Sequence, residues 1–145
     1  MKKINDSNIY LSVAIAALVV GLVVGAVSYY SIIIVEPKVE RLLAATEDVD
    51  KNFKQAYLIL RNPQIFAGYG NFDAEGISVK NSLAFFDKKI YYGDEIDSTR
   101  KAYLELLLDR REKGSTLGRN TAAFFIVLSL MFCTLFIHER RSANL

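Results

Sequence analysis

Few residues in this chain carry types and spacings suited to chemistry. Asn71, Asp73, Glu75 and Gly76 reproduce the opening of a calcium-binding loop, where alternate oxygen ligands precede a glycine that allows a sharp turn. The position that should supply the bidentate glutamate is Ser82, so the shell cannot close there. Asp48, Asp50 and Asn52 repeat the ligand spacing, but Phe53 replaces the glycine and Ile59 the closing acid. Both acidic groups read as solvated charge.

His138, the only histidine, stands beside Glu139. The pair has the chemistry of a proton relay, but its place at the end of an apolar run suits an interfacial anchor better. Cys133 is the sole cysteine, which excludes an internal disulfide and a Cys/His zinc site. Asn5-Asp6-Ser7 fits a glycosylation sequon but lies in a short tail read as cytoplasmic. No GxSxG, HExxH or Walker-type glycine loop occurs, so the sequence predicts a non-enzymatic protein without cofactor or metal.

The charge distribution says more. Between Glu36 and Arg119 there are 14 Lys and Arg and 14 Asp and Glu, so the middle of the chain is neutral and offers no nucleic-acid footprint. The net positive charge comes from the tails, where Lys2, Lys3, Arg140 and Arg141 outnumber Asp6 and Glu139.

Ile9 to Val35 is a stretch of 27 uncharged residues, which as a helix would be about 40 Å long against a hydrocarbon core of roughly 30 Å. Asp6-Ser7-Asn8 offers cap residues before it, and Glu36-Pro37 kinks the helix or starts a new one. Lys2-Lys3 and Val24-Gly25-Ala26 also sketch a signal peptide, but apolar character continues through Ile32-Ile33-Ile34-Val35, beyond a normal signal core. Thr121 to Ile137 is a second run of 17 residues, short for a span, with Arg119 and Arg140 placed to snorkel to opposite headgroup layers. The expected organisation is a tail over 1–8, a transmembrane helix over 9–35, an extracytoplasmic helical region over 36–118, a transmembrane helix over 119–138 and a tail over 139–145. Two basic residues in each short tail favour both termini in the cytoplasm, with the chain in an inner, cytoplasmic membrane.

Between the spans, Pro37 to Arg61 reads as one amphipathic helix with Val39, Leu42, Thr46, Val49, Phe53, Ala56 and Leu60 on a seam. A second helix is expected over Asp94 to Lys113, with Ile96, Thr99, Tyr103, Leu106 and Arg110 in the same rhythm, a stripe widened by Leu104, Leu107 and Leu108, and an end at Gly114. Gln64 to Gly76 reads as a loop, and residues 79–92 as a helix in preference to a small hairpin. The fold class is thus an all-α membrane protein, two transmembrane helices joined by a mainly helical extramembrane hairpin with a loop-rich tip.

Ala17, Gly21 and Gly25 recur every four residues, the spacing that lets helix backbones approach closely in lipid. With Val39, Leu42, Val49, Phe53, Leu60, Ile96, Tyr103 and Leu106 as an extramembrane interface, they suggest an accessory or scaffold subunit. Its expected partners are other membrane protein subunits or a homodimer, within a lipid bilayer. The two-span layout also resembles the input domains of bacterial chemoreceptors and sensor kinases, which implies a sensory module signalling to a separate partner. A membrane-permeabilising protein is a third class, less suited to so long a middle region.

Overall fold

The computed structural model describes residues 6–62 and 79–142, all of whose regular elements are helical. Helix α1 spans Asp6–Tyr30, a π turn spans Ser31–Val35, and α2 spans Glu36–Ala44. Then follow α3, Val49–Leu60, α4, Val79–Tyr92, a 3-10 turn at Ser98–Arg100, and α5, Lys101–Ser142. Residues 79–92 are therefore helix. The expected loop over Gln64 to Gly76 lies outside the described residues. Within Ser7–Ala44 and within Ser98–Ser142 there is a stretch long and apolar enough to cross a membrane.

The chain divides into two compact units, residues 1–28 with 118–145, and residues 29–117. In the first unit, the C-terminal half of α5 packs on α1. The buried positions of α1 are Ser7, Ala14, Ala17, Gly21, Val24 and Ser28, and those of α5 are Gly118, Ala122 and Ser129. From Ala14 onward the α1 positions step by three and four, the rhythm of a helix seam. Nearly every residue on it is small.

The second unit buries Val39, Leu43, Phe53, Ala56, Tyr57, Phe86, Ile96, Leu104, Leu107 and Leu108 in one core. Helices α2, α3, α4 and the start of α5 all contribute to it. Its centre is aromatic: the Tyr57 and Phe86 rings stack at 5.1 Å, and Phe85 stacks on Tyr103 at 5.8 Å. The Tyr57 hydroxyl donates to Asp87 Oδ1 at 2.7 Å, which satisfies the polar end of the most deeply buried tyrosine in this cluster of rings.

Two helix boundaries differ from the sequence expectation. Pro37 to Arg61 is not one helix: the chain breaks at Ala45, which is extended, and Asp48 adopts a left-handed conformation with φ 48°. Asn52 holds the break, its backbone N–H donating to Asp48 O at 3.0 Å and its side chain to Glu47 O at 2.8 Å. An unbroken rod would string its apolar residues along a single line, whereas the break lets α2 and α3 fold back so that Val39, Leu43, Phe53 and Tyr57 share one core. Thr46 thereby leaves the seam for an exposed turn.

The second helix neither starts at Asp94 nor stops at Gly114. Asp97 sits ahead of the 3-10 turn and accepts from Thr99 N–H at 3.0 Å. Helix α5 then runs through Gly114 and Gly118, both of which are buried. A glycine ends a helix where the chain turns left-handed, and the backbone at these two stays helical.

Candidate functional site

Two arrangements carry the specific geometry of this protein, one in each unit. In the first, the absent side chain of Gly21 is what permits the helix contact. A Cβ there would lie 3.1 Å from Ile126 Cγ1, 3.2 Å from Ala122 O and 3.3 Å from Phe125 Cβ. One at Gly25 would lie 3.3 Å from Ala122 Cβ. The Ser129 hydroxyl donates to Ala14 O at 2.8 Å across the same seam, and Tyr10 meets Phe132 at 6.2 Å between ring centroids. Ala17, Gly21 and Gly25 thus lie on the face that α1 turns to α5 of its own chain.

The outer surface of this unit is the inverse of its seam. Ile15, Val19, Leu22, Val23, Phe124, Val127 and Leu130 are exposed, while glycine, alanine and serine are inside. Such a size gradient suits a lipid solvent, in which burying large apolar groups gains nothing and close backbone approach gains dispersion contacts.

In the second unit, the π turn positions a buried polar relay. The Pro37 ring removes a backbone donor and would crowd the carbonyl four residues back, and the turn just before it widens so that Glu36 N–H bonds to Ser31 O, five residues away. The Ser31 hydroxyl donates to Glu36 Oε1 at 3.0 Å and accepts from Arg111 Nε at 3.0 Å. The Glu36 residue is only 8% exposed. Arg111 also reaches Ile59 O at 3.5 Å, joining α5 to the last turn of α3. Desolvation lowers the Arg111 pKa, and the Glu36 carboxylate works against that shift. Burial, followed by the nearby charges of Glu36, Glu40 and Asp109, raises the pKa of Glu112 above its ordinary range.

The expected extramembrane interface points inward. Val39 is fully buried, and Phe53 and Ile96 are each 2% exposed. Leu42, Val49, Leu60 and Tyr103 pack against the same core, and Leu106 is half-buried beside the deeper Leu104, Leu107 and Leu108. Ile96 lies ahead of α5, held where its backbone N–H donates to Asp50 Oδ1 at 2.7 Å. The other Asp50 oxygen accepts from Lys54 at 2.8 Å, and this contact lowers the Asp50 pKa. That carboxylate ties α3 to the strand-like approach to α5, a structural task for a residue that shares the ligand spacing of a calcium loop. Asn71, Asp73, Glu75 and Gly76 lie outside the described residues. Cys133 is half-buried with a free thiol, and His138 is exposed.

Sequence reasoning passed over the serines and the relay. Ser28 stands seven residues after Gly21 on α1 and Ser129 seven after Ala122 on α5, a two-turn step that keeps each on the small-residue face, a signal present in the sequence. The pairing of Ser31 and Glu36 carried no such signal, because a five-residue step belongs to neither helix nor strand periodicity.

Among the described residues the protein is all-helical, with two helices long and apolar enough to cross a membrane. No protein-family model, curated protein or solved structure matches the chain.

Proposed function

We propose that this protein is a non-enzymatic accessory or scaffold subunit of a membrane protein assembly, held in a cytoplasmic membrane with both termini in the cytoplasm. The observation that carries the reading is the inverted size gradient of the first unit. Its small residues are already used between α1 and α5, and large apolar side chains cover the outside, a surface for lipid and for the helices of other subunits. Outside the membrane, docking would fall to exposed groups such as Leu58, Tyr91 and Tyr92, since the residues expected from sequence fill the core of the second unit. Mild-detergent purification of the tagged full-length chain, followed by mass spectrometry and a mass estimate, tests this. A fixed-ratio set of larger membrane proteins is the expected result, and recovery of the chain alone, as monomer or dimer, rejects it.

A sensory or regulatory input module is the second reading, favoured by the π turn and its buried Ser31–Glu36–Arg111 relay. π turns are rare and concentrate at functional positions. A small molecule that raises the melting temperature of the wild-type chain, but not of Ser31→Ala, would move this reading ahead.

A further inference from the structure

The last turns of α5 present Thr134, Ile137, His138, Arg141 and Ser142 around an open groove of about 500 Å³. Their spacing of three and four puts them on one stripe of the helix. None of these residues is acidic. Among the described residues, no ion pair takes up Arg141 or His138. Arg140, one position away, lies over the Phe136 ring at 5.9 Å, on a different face. The Thr134 hydroxyl donates to Met131 O at 2.7 Å, so the hydrogens the groove has to offer belong to Arg141, His138 and Ser142.

We infer that this groove seats the headgroup phosphate of an anionic phospholipid, with Arg141 and His138 as its ligands and Ile137 beside the first carbons of the acyl chains. The inference rests on the reading that α5 spans a bilayer. The C-terminal end of a helix dipole repels an anion, so the Arg141 charge must outweigh it. Arg141 faces the groove with the His138 ring N–H as a second donor, and no carboxylate lines it. The amphiphilic character of the stripe selects a lipid over free phosphate: Ile137 and the exposed Leu130, Met131 and Leu135 of the preceding turns are apolar, while the donors cluster at the far end. An acyl chain running back along α5 would cover that apolar surface. A lone anion would leave it bare.

The full-length chain, purified in mild detergent and given equimolar phosphatidylglycerol and phosphatidylcholine, should retain phosphatidylglycerol in roughly fivefold preference by native mass spectrometry, the ratio that about 1 kcal/mol for one arginine near an anionic headgroup gives. The double variant His138→Gln/Arg141→Gln should bring the ratio to near one, and Arg140→Gln should leave it unchanged. Equal retention of the two lipids by the wild-type chain overturns the inference without recourse to any variant. So does an equal loss in Arg140→Gln, which would mark a diffuse charge effect, and so does displacement of phosphatidylglycerol by excess inorganic phosphate, which would mark a simple anion site. An alkaline carbonate wash of native membranes separates the two levels: release of the chain removes the membrane reading itself, whereas a retained chain with no lipid preference removes only the groove.

Discussion

The two units solve the same packing problem with opposite materials. Residues 29–117 centre on a core of large side chains, Tyr57, Phe53, Phe86, Ile96 and Leu104 among them, and leave most charges outside. In the α1 and α5 pair of the first unit, Ala14, Ala17, Gly21, Ala122 and Ser129 are inside, and leucine, valine, isoleucine and phenylalanine face outward. Water rewards removal of large apolar surface, at about 25 cal/mol per Å². Lipid gives no such reward, and association there depends on how closely two backbones can approach and on hydrogen bonds between them. The contrast shows that a single scale of burial cannot rank the importance of residues along this chain.

That comparison breaks most visibly under side-chain enlargement or deletion. Phe53→Ala should destabilise the second unit by about 3–5 kcal/mol, the cost of emptying an aromatic site in a packed core, whereas the exposed Leu58→Ala should stay within about 0.5 kcal/mol. Denaturant titration of the full-length chain in detergent, followed through the tyrosine signal, would read both. Similar effects at the two positions would contradict the core described above.

In the first unit the sign of the size rule reverses. Gly21→Leu should cost about 1–3 kcal/mol or more because the new side chain meets Ala122 O and Phe125 Cβ, while Leu22→Ala, one residue away and outward, should be close to neutral. Thermal melting in detergent distinguishes them, and a larger loss at Leu22 would mean that the outer face is the packed one. Ser129→Ala at the same seam should cost less, about 0.6 kcal/mol and no more than about 1.7, the average and the upper end for interhelical hydrogen bonds in membrane helices.

The relay tests a buried polar contact within residues 29–117. Arg111→Met leaves the Glu36 carboxylate buried without its cation and should cost about 1–3 kcal/mol, less than for a fully enclosed pair because Arg111 is itself only half-buried. Adding Glu36→Gln should restore part of that loss, and strict additivity of the two substitutions would show that the charges do not communicate through Ser31.

The smallest effect belongs to Glu112. Its pKa is raised in the fold, so the ionised carboxylate opposes folding at about pH 7, and the opposition fades as pH falls and the group takes up its proton. Glu112→Gln should therefore melt slightly higher than wild type at about pH 7, with the difference vanishing towards pH 4. A stabilisation that grows on acidification would have the wrong sign.

Much of the architecture was legible because it depends on composition alone. Helices at both ends follow from Ile9 to Val35 and Thr121 to Ile137, runs whose apolarity needs no partner to be recognised. The face of α1 that packs was legible in Ala17, Gly21 and Gly25, since small residues every four positions mark one side of a helix. What covers that face was not: self-association and contact with α5 demand the same spacing. Similarly, the stripe that includes Val39, Phe53 and Ile96 looks the same whether it docks a partner or lines the chain's own core.

The sequence by itself determined helical content, the segregation of charge from apolar runs and the side of α1 that would be buried, because each depends on neighbours within one or two turns. Only the tertiary structure decided where those helices break and what they meet. Asp48 accepts a left-handed backbone because folding α3 back onto α2 buries Phe53 and Tyr57 with Val39. Gly114 stays helical within the buried stretch where α5 continues, and Ser31 meets Glu36 and Arg111 because a π turn joins residues five apart to one 80 positions away. Long-range packing energies of several kcal/mol outweigh local preferences of about 1 kcal/mol or less, and they are invisible until the chain has closed on itself.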